Sequence, residues 1–324
     1  MKNSSISIIV LNYNGLKYLM RTIPPLLNLD YPNYEIIVVD NGSTDESVNY
    51  LKRFKKIKTI ENKENLGYSK GKNIGIKNAK GQYVFLLDND IVIDNKNVLK
   101  ILLKKYLTYT HLAFITCLLV PEGQETTKMY GTFFCFYGLK MNNAKSINKI
   151  RKHNNYYVIN PYGGAVFFKK IIWNYLGGFD ESQPFTLNDF DIGIRSWILG
   201  YKNIIINDFF LINIGNKGIN SRENNRSYCW KFKYYFSGHS KMIFKNLQFM
   251  NVIKIYPFFI IFSFSKMLRQ LIRRKDICIL KAYITSIFLF LMDLKTTSRK
   301  RKYLQNIRIE KDNIFMKIKS PYSY

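Results

Sequence analysis

The first hundred residues alternate between short apolar runs and segments with helical spacing, and this alternation limits the fold more than any other feature. Continuous apolar runs rich in β-branched residues are typical of strands that are buried on both faces of a sheet. We therefore predict an α/β fold, Rossmann-like, with a mostly parallel sheet and helices on both faces. The predicted strands span residues 6–11, 35–40, 58–61 and 83–87, and the predicted helices span 16–29, with a kink or break at Pro24 and Pro25, and 69–80.

Polar residues stand at the carboxyl ends of three of these strands. Asn12 follows the first strand, Asp40 ends the second, and Asp88 follows the fourth. Because ligands of open α/β sheets bind beyond the carboxyl ends of the strands, we expect the three side chains to converge on a ligand site.

The fourth strand is followed by two carboxylates separated by one residue, Asp88 and Asp90. Side chains two residues apart in a strand point to the same face, so their negative charges would repel unless a cation lies between them. Mg²⁺ in proteins is typically held by one or two carboxylates plus substrate oxygens. Taken alone, Asp-x-Asp at a strand end is more often a solvated turn, but its place beside two other polar strand ends favours a metal site.

The middle of the chain is less regular. Residues 124–157 are polar and rich in Asn and Lys, which favours a loop or a hairpin insertion. A further strand is predicted within 160–168, and glycine-containing turns are predicted at 163–164 and 177–180. Residues 188–195 then open an amphipathic helix that ends at Gly200.

The chain is strongly basic, and the positive charge is concentrated towards its end. Its 50 Lys and Arg residues exceed its 22 Asp and Glu residues by 28, and the segment from residue 241 onward holds 18 basic and four acidic residues, half of that excess. A surface of this kind predicts an anionic partner, which is a nucleic acid, a phosphorylated small molecule or an anionic membrane.

Two apolar, aromatic segments at 252–265 and 277–291 lie between basic clusters. Neither is an uninterrupted apolar run of about 20 residues, the length that spans a membrane. Three interpretations stay open: helices lying in the plane of an anionic membrane surface, buried helices of a helical subdomain or a homodimer interface, and insertion as a hairpin. We divide the chain accordingly into a domain over 1–225 and a basic, amphipathic α-helical extension over 226–324.

The cysteines are scattered along the chain without a C-x-x-C pair, and the three histidines are equally dispersed. Neither a zinc cluster nor a disulfide framework is therefore predicted, and a reducing compartment is the simplest interpretation. The first apolar segment, residues 6–12, is too short for the core of a signal peptide. These features predict a cytoplasmic protein.

Five short motifs occur in order in the first part of the chain. They are residues 8–14 (Ile-Ile-Val-Leu-Asn-Tyr-Asn), 38–45 (Val-Val-Asp-Asn-Gly-Ser-Thr-Asp), 65–68 (Asn-Leu-Gly-Tyr), 72–73 (Lys-Asn) and 87–90 (Leu-Asp-Asn-Asp). Together they resemble the family 2 glycosyltransferases, which are inverting enzymes of the GT-A fold. The chain is most similar to the rhamnosyltransferase-like members that build bacterial surface polysaccharides, and the resemblance extends from about residue 5 to residue 208.

The resemblance implies a nucleotide site at the first two strand ends. Asp40 would accept hydrogen bonds from the nucleotide base, with a plain turn or helix N-cap as its alternative role. Asn12, Tyr13 and Asn14 would wrap the same base.

The resemblance also implies a site for the diphosphate and its metal. Asn65 and Gly67 would let the backbone approach the nucleotide, since glycine has no Cβ. Lys72, or else Lys70, would neutralise a phosphate, and the alternative role of each is a solvated helix lysine. Asp90 would ligate Mg²⁺ or Mn²⁺ on the diphosphate, and Asp88 would complete the acidic pair and hold the ribose or the sugar.

The catalytic base of the family belongs to a Glu-Asp pair that opens a helix, and here this pair reads Asn188-Asp189. Asp189 would accept the proton of the acceptor hydroxyl as that hydroxyl attacks the anomeric carbon, giving inversion; its alternative role is a helix N-cap. Asp191 is the second candidate, with pairing to Arg195 at i+4 as its alternative. Many relatives also carry a metal-completing histidine where this chain has Asn213, and both departures bear on acceptor recognition and metal affinity.

The resemblance, together with the basic extension, implies an enzyme that transfers a hexosyl or deoxyhexosyl group from a UDP- or dTDP-sugar to a lipid-linked glycan, with no nucleic-acid partner. It would act in polysaccharide synthesis, peripherally at the inner face of the cell membrane. The alternative is a non-catalytic nucleotide-, lipid- or nucleic-acid-binding protein with a decayed transferase domain. A sugar nucleotidyltransferase is disfavoured because residues 12–17 lack a glycine- and arginine-rich loop. A processive synthase is disfavoured because no series of clear membrane spans follows.

Overall fold

The computed structural model describes residues 4–124, 129–135, 138–143, 156–161, 164–184, 187–215 and 225–318. Its strands are β1 (Ile6–Asn12), β2 (Tyr34–Asp40), β3 (Ile57–Glu61), β4 (Tyr83–Asp88), β5 (Ile91–Val92), β6 (Leu112–Pro121), β7 (Met129–Cys135), β8 (Gly138–Asn143), β9 (Tyr156–Tyr157), β10 (Ala165–Lys169) and β11 (Lys202–Asn213). Its helices are α1 (Leu16–Leu27), α2 (Ser47–Leu51), α3 (Gly67–Asn78), α4 (Val98–Leu107), α5 (Lys170–Leu176), α6 (Asn188–Ile198), α7 (Asn225–Asn246), α8 (Phe249–Arg274), α9 (Cys278–Met292), α10 (Leu294–Asn306) and α11 (Asn313–Met316).

The strands and helices predicted for the first hundred residues are confirmed to within a few residues at their ends. Helix α1 continues through Pro24 and Pro25 and ends only at Leu27. Neither proline has an N–H to donate to the carbonyl oxygens of Met20 and Arg21, and the helix ends within three residues of Pro24.

One mixed sheet holds most of the described strands, in the order β3-β2-β1-β4-β10-β6-β11-β5, with β9 paired to β11. The first four strands in this order are parallel, as predicted. Strand β10 runs antiparallel to both of its neighbours, β4 and β6, while β6 and β11 are parallel to each other. The sheet is therefore parallel in the half that carries Asn12, Asp40 and Asp88 and mixed in the other half.

Apolar side chains alternate between the two faces of β1. Ile9 belongs to one apolar cluster, whereas Ile8 and Val10 belong to another, and all three are fully buried. Because successive side chains of a strand point to opposite faces, both faces of this strand are covered. The prediction of helices on both faces is confirmed.

The predicted hairpin insertion is confirmed for the residues that the structure describes there. Strands β7 and β8 pair antiparallel, with Cys135 opposite Gly138. Positions 125–128, 136–137 and 144–155 of the same predicted insertion lie outside the described residues.

The C-terminal helices pack on the same apolar cluster as one face of the sheet. That cluster contains Ile9 of β1 together with Phe236 of α7, Phe259 of α8, Tyr283 of α9 and Leu304 of α10. The division of the chain at residue 225 stays a prediction, although α7 begins there.

Helix α8 is longer than the apolar segment predicted from the sequence. By length and composition it is the one helix of the described residues that could cross a membrane, and only 28% of its apolar window is buried. Lys254 and Lys266 interrupt its apolar residues, so α8 reaches this length as a helix and not as an uninterrupted apolar run. Helix α9 is a shorter apolar helix of 15 residues.

Cys229 of α7 and Cys278 of α9 form a disulfide. The expectation that none of the cysteines is paired is wrong for these two, because their 49-residue separation hid a contact that only the packing of the helices creates. Cys117 is a free, buried thiol. The spacing of the cysteines therefore no longer supports the prediction of a reducing compartment.

Candidate active site

The three polar strand ends lie side by side at the carboxyl edge of the sheet. Asn12 is opposite Asp40 in the register of β1 and β2, and Leu11 is opposite Asp88 in the register of β1 and β4. The convergence expected from the sequence is therefore present. It follows from parallel pairing, which brings the carboxyl ends of neighbouring strands to one edge.

Asp40 is the hydrogen-bonding centre of the first two strand ends, and it is only 1% exposed. Its carboxylate accepts hydrogen bonds from the Asn12 amide at 2.9 Å and from the backbone N–H and hydroxyl of Ser43 at 2.9 and 2.7 Å. The Asn14 side chain in turn accepts the backbone N–H of Thr44 at 2.7 Å. These bonds hold the loops after β1 and β2 together and use part of the carboxylate's acceptor capacity. Recognition of a base by Asp40 stays a prediction.

Asn41, which the sequence reasoning missed, fixes the loop before α3. It is 2% exposed, and its amide group donates to Asn65 Oδ1 at 2.9 Å while its carbonyl oxygen accepts the backbone N–H of Leu66 at 3.2 Å. Gly67 follows with φ +83°, and a Cβ there would lie 2.8 Å from the backbone oxygen of Pro184. Glycine is therefore needed at this position because a side chain would collide with the backbone of Pro184. The predicted approach of Gly67 to a nucleotide stays a prediction.

Lys72 is neither a solvated lysine nor an isolated positive charge. Its side chain is fully buried, and its ammonium group lies 2.6 Å from Asp88 Oδ1 and 2.6 Å from the Tyr68 hydroxyl. Lys72 thus neutralises one of the two carboxylates of the acidic pair. Lys70, on the same helix, is exposed.

Asp90 is mostly buried, and its environment disfavours its negative charge. Burial raises the pKa of Asp90 to about 6, and the charge of Asp88 adds to this shift while Lys72 opposes it. The carboxyl group lies against the backbone of Gly215, where an added Cβ would be 1.9 Å from Oδ2. A carboxylate that is buried beside a second carboxylate is an environment that a divalent cation would relieve.

The residues after β11 lie next to this carboxylate. The backbone N–H of Ile214 donates to the carbonyl oxygen of Asp90 at 2.9 Å, and Asn213 Oδ1 accepts the backbone N–H of Gly215 at 3.1 Å. The place expected for a histidine is thus beside Asp90, but Asn213 uses its side chain within its own turn. No group of three or more His, Cys, Asp or Glu side chains that could hold a metal occurs among the described residues.

Asp189 lies in the first turn of α6 and is half-buried. The N-cap position belongs to Leu187, which has a positive φ of 64°, so the alternative role of Asp189 as N-cap is wrong. The preceding residue of the motif, Asn188, is 3% exposed.

Asp191 is structural. It is fully buried, 2.8 Å from Arg195 as predicted, and 2.8 Å from Lys245 of α7. Burial acts to raise the pKa of Asp191, but the charges of Lys245 and Arg195 outweigh it and leave the pKa below its ordinary value. A carboxylate that is held ionised by two cations is a poor proton acceptor, so Asp191 is excluded as the base.

A cavity of about 680 Å³ opens over the strand ends. Five of the predicted site residues line it: Tyr13, Asn65, Gly67, Asp88 and Asp90. Asn12, Asn14, Asp40, Lys72 and Asp189 are not part of this lining, and of these Asn12, Asp40 and Lys72 are buried behind it.

Among the lining residues that the sequence reasoning missed, two aromatic residues come from outside the predicted glycosyltransferase domain. They are Trp230 and Tyr234 of α7, a helix that the predicted domain division assigned to the extension. The one signal in the sequence that could have identified them as site residues is their aromatic character. The turn predicted at 177–180 lines a separate cavity of about 550 Å³ against α10.

The sequence model described as "Glycosyl transferase family 2" matches residues 7–176, just over half of the chain. The chain belongs to glycosyltransferase family 2. An uncharacterized glycosyltransferase of Haemophilus influenzae is 36% identical over 127 residues, covering 37% of this chain and 50% of that protein. A poly-β-1,6-N-acetyl-D-glucosamine synthase of Staphylococcus epidermidis is 37% identical over 93 residues, covering 28% of this chain and 23% of that protein. This family 2 glycosyltransferase thus spans half or less of the length of these curated relatives.

Solved structures establish the GT-A fold of this glycosyltransferase. S. aureus TarS 1-349 in complex with UDP-GlcNAc superposes with a TM-score of 0.59 at 17% identity, covering 96% of this chain and 89% of that one. GalNAc-T7 with UDP, GalNAc and Mn²⁺ superposes with a TM-score of 0.56 at 17% identity, covering 75% of this chain and 48% of that one.

Proposed function

We propose that this glycosyltransferase transfers a sugar from a UDP- or dTDP-sugar to a hydroxyl group of a glycan with inversion at the anomeric carbon, in the synthesis of a bacterial surface polysaccharide. The observation that carries the proposal is the cavity at the strand ends, which joins Tyr13 and the loop at 65–67 to the acidic pair Asp88 and Asp90. The TarS complex with UDP-GlcNAc supports a nucleotide-sugar donor, and the synthase relative supports a polysaccharide product.

The nucleotide would lie at the ends of β1 and β2, with its base near Tyr13 and Asp40. Asp90, with Asp88 beside it, would hold Mg²⁺ or Mn²⁺, because carboxylate oxygens suit both ions and because a cation relieves the buried charge of Asp90. When bound, the ion would stabilise the negative charge that develops on the leaving diphosphate. The Mn²⁺ in the GalNAc-T7 structure supports this assignment.

Asp189 would act as the general base. The acceptor oxygen forms a bond to the anomeric carbon, the bond from that carbon to the diphosphate oxygen breaks, and its electron pair leaves with the nucleoside diphosphate. The acceptor proton passes to the Asp189 carboxylate. A single displacement of this kind inverts the anomeric configuration. Asp189 is suited to this role by its half-buried place in the first turn of α6, whereas Asp191 is held between Arg195 and Lys245.

The test combines donor binding with turnover. Thermal shift of the full chain with a panel of UDP-, dTDP- and GDP-sugars, with and without Mn²⁺, should show metal-dependent stabilisation by the true donor class. Asp189→Asn should bind that donor but lose about 100-fold or more in turnover, the usual contribution of a general base. Asp30→Asn is the matched control, because Asp30 is exposed and pairs with Lys100 at the surface.

Unchanged turnover in Asp189→Asn would refute the assignment of the base. A chain that binds nucleotide with no turnover of any donor would instead support the alternative of a decayed, non-catalytic domain.

We also propose that α8 and α9 lie in the plane of an anionic membrane, which favours a lipid-linked acceptor. One side of α8 is exposed and apolar at intervals of three or four residues, as an amphipathic helix requires. This side carries Met250, Ile253, Pro257, Ile261, Phe264, Leu268 and Ile272. The apolar side of α9 carries Ile284, Phe288 and Leu291, and the exposed Ile277 directly precedes this helix.

The opposite side of α8 is packed against the rest of the protein. Phe259 stacks on Phe236 of α7 with ring centroids 5.3 Å apart, and Ser263 lies 3.3 Å from the Tyr283 hydroxyl of α9. A helix held in this way offers one face to lipid, and the 15 residues of α9 reach only about 22 Å, short of the roughly 30 Å of a hydrocarbon core. In-plane association is therefore favoured over hairpin insertion.

Charge favours an anionic bilayer over a second copy of the chain. Residues 249–292 contain seven basic residues and one acidic residue, so two copies would bring like charges together. The same basic residues are attracted to anionic lipid. We propose a peripheral location at the inner face of the cell membrane.

Vesicle sedimentation tests this association. The full chain should bind vesicles that contain phosphatidylglycerol, bind pure phosphatidylcholine vesicles less, and lose binding as salt rises. Ile261→Asp should weaken binding, whereas Ile171→Asp, at an equally exposed isoleucine of α5, should not. Equal binding by both variants, or a stable dimer in sedimentation equilibrium that Ile261→Asp dissociates, would overturn the proposal.

A further inference from the structure

Two aromatic side chains from the C-terminal helices belong to the active-site cavity. Trp230 and Tyr234 of α7 line it together with Asp88, Asp90 and Pro184. We propose that Trp230 is the surface on which the sugar ring of the acceptor packs, with Tyr234 as its support, so that α7 positions the acceptor hydroxyl for transfer. This inference rests on the proposed function.

The two rings form one preorganised surface. They are four residues apart on α7 and therefore share a face of the helix, and their centroids are 5.4 Å apart in an edge-to-face arrangement. The helix itself is held from its other side by the stacking of Phe236 on Phe259 and by the disulfide of Cys229. A rigid surface loses little conformational freedom when a ligand packs on it.

Exposure distinguishes Trp230 from the other tryptophans of the chain. Trp173 and Trp197 are each 4% exposed, whereas Trp230 is 45% exposed. A pyranose ring has a face of C–H groups that can pack on an indole ring. Its hydroxyl groups can then form hydrogen bonds with polar residues at the rim of the cavity, since ligand cavities combine an apolar lining with a few polar groups. Because the Lys233 ammonium lies 4.7 Å from the centre of the Tyr234 ring, we assign the stacking contact to Trp230.

The position in the cavity favours the acceptor over the donor. The nucleotide is assigned to the strand ends near Tyr13, and the diphosphate is assigned to Asp90. The wall that α7 contributes is then left for the incoming hydroxyl. Trp230 takes no part in the bonds that form and break or in the proton transfer to Asp189. Its contribution is orientation of the acceptor, which is an entropic gain in catalysis.

Steady-state kinetics of the full chain tests this role, with a panel of octyl glycosides as acceptor probes and with the donor that gives turnover. Trp230→Ala should raise the KM for the glycoside about ten-fold, Trp230→Phe should stay within about three-fold, and the KM for the donor should change less than about two-fold in both. Tyr303→Ala is the matched control, because Tyr303 is an exposed aromatic residue of α10 outside this cavity.

Fluorescence gives a second readout that does not need the alanine variant to fold. With UDP and Mn²⁺ present, a glycoside that accepts sugar should shift the emission of the wild type and of Tyr303→Ala, but not that of Trp230→Phe, whose remaining indoles are buried. Wild-type turnover with an unshifted emission, or with an unchanged glycoside KM in Trp230→Ala, would overturn this inference alone. Absence of donor turnover in the wild type would overturn the proposed function on which it rests.

Discussion

Replacing Asp90 with asparagine should stabilise the metal-free protein while removing its response to a divalent cation. Burial and the charge of Asp88 raise the pKa of Asp90 from 3.8 to about 6. A shift of about two units corresponds to about 3 kcal/mol, at roughly 1.4 kcal/mol per unit. This energy destabilises the fold whenever the carboxyl group is ionised, and an asparagine of the same shape does not incur it.

Because folding raises the pKa of Asp90, the stability difference between the wild type and Asp90→Asn depends on pH. Well below pH 3.8 the carboxyl group is protonated in both the folded and the unfolded chain, and the wild type keeps its full stability. As pH rises, the unfolded chain loses its proton first, so the wild type loses stability until the folded group also ionises near pH 6. Asp90→Asn should therefore be more stable than the wild type by about 3 kcal/mol at pH 7.5 and by about half of that at pH 5.

Urea denaturation in EDTA at pH 5, 6 and 7.5 measures this difference, and Asp94→Asn serves as the control because Asp94 is exposed four residues away. Adding UDP and Mn²⁺ should then stabilise the wild type by about 2.7 kcal/mol at 100 times the dissociation constant, and the variant far less. The reasoning is refuted if Asp90→Asn is less stable than the wild type at pH 7.5 in EDTA, or if the difference does not change with pH.

Three further changes test separate parts of the structure, each by urea denaturation. Gly67→Ala should destabilise by about 1–3 kcal/mol more than Gly123→Ala, because both have a positive φ but only Gly67 would place a Cβ against backbone, and equal losses would contradict this. Lys72→Met should lose about 3–5 kcal/mol, since it leaves a buried carboxylate without its cation, and a loss below 1 kcal/mol would show that the ion pair is not formed. Reduction of the disulfide between Cys229 and Cys278 should lower the free energy of unfolding by about 4 kcal/mol, the loop-closure entropy that corresponds to their 49-residue separation. A Cys229→Ser variant should show no response to reductant.

Features encoded by local sequence patterns could be predicted. The strands around Ile9 were recognisable because a strand buried on both faces is a continuous apolar run, and the helices between them because their apolar residues recur with helical spacing. Parallel pairing of those strands then sufficed to predict that Asn12, Asp40 and Asp88 meet at one edge of the sheet. The ion pair of Asp191 with Arg195 could also be predicted, since residues four apart in a helix are neighbours.

The contact partners of charged and aromatic side chains could not be predicted from the sequence in this way. From the sequence of its helix, Lys72 could be either a phosphate ligand or a solvated lysine. Its burial on Asp88 results from the packing of α3 on β1 and β2, next to the end of β4. Trp230 was assigned to the basic, amphipathic extension because its sequence neighbourhood is basic and aromatic. Its place in the cavity depends on how α7 crosses the catalytic half of the chain.

The sequence by itself determined the order of strands and helices, the edge of the sheet at which the site lies, and the family. Each of these depends on periodicity or on short motifs, which are properties of neighbouring residues. The tertiary structure decided which charge neutralises Asp88, which wall of the cavity α7 supplies, and which cysteines meet. These are contacts between residues far apart in the chain, and their energies come from burial and charge pairing that exist only after the helices have packed.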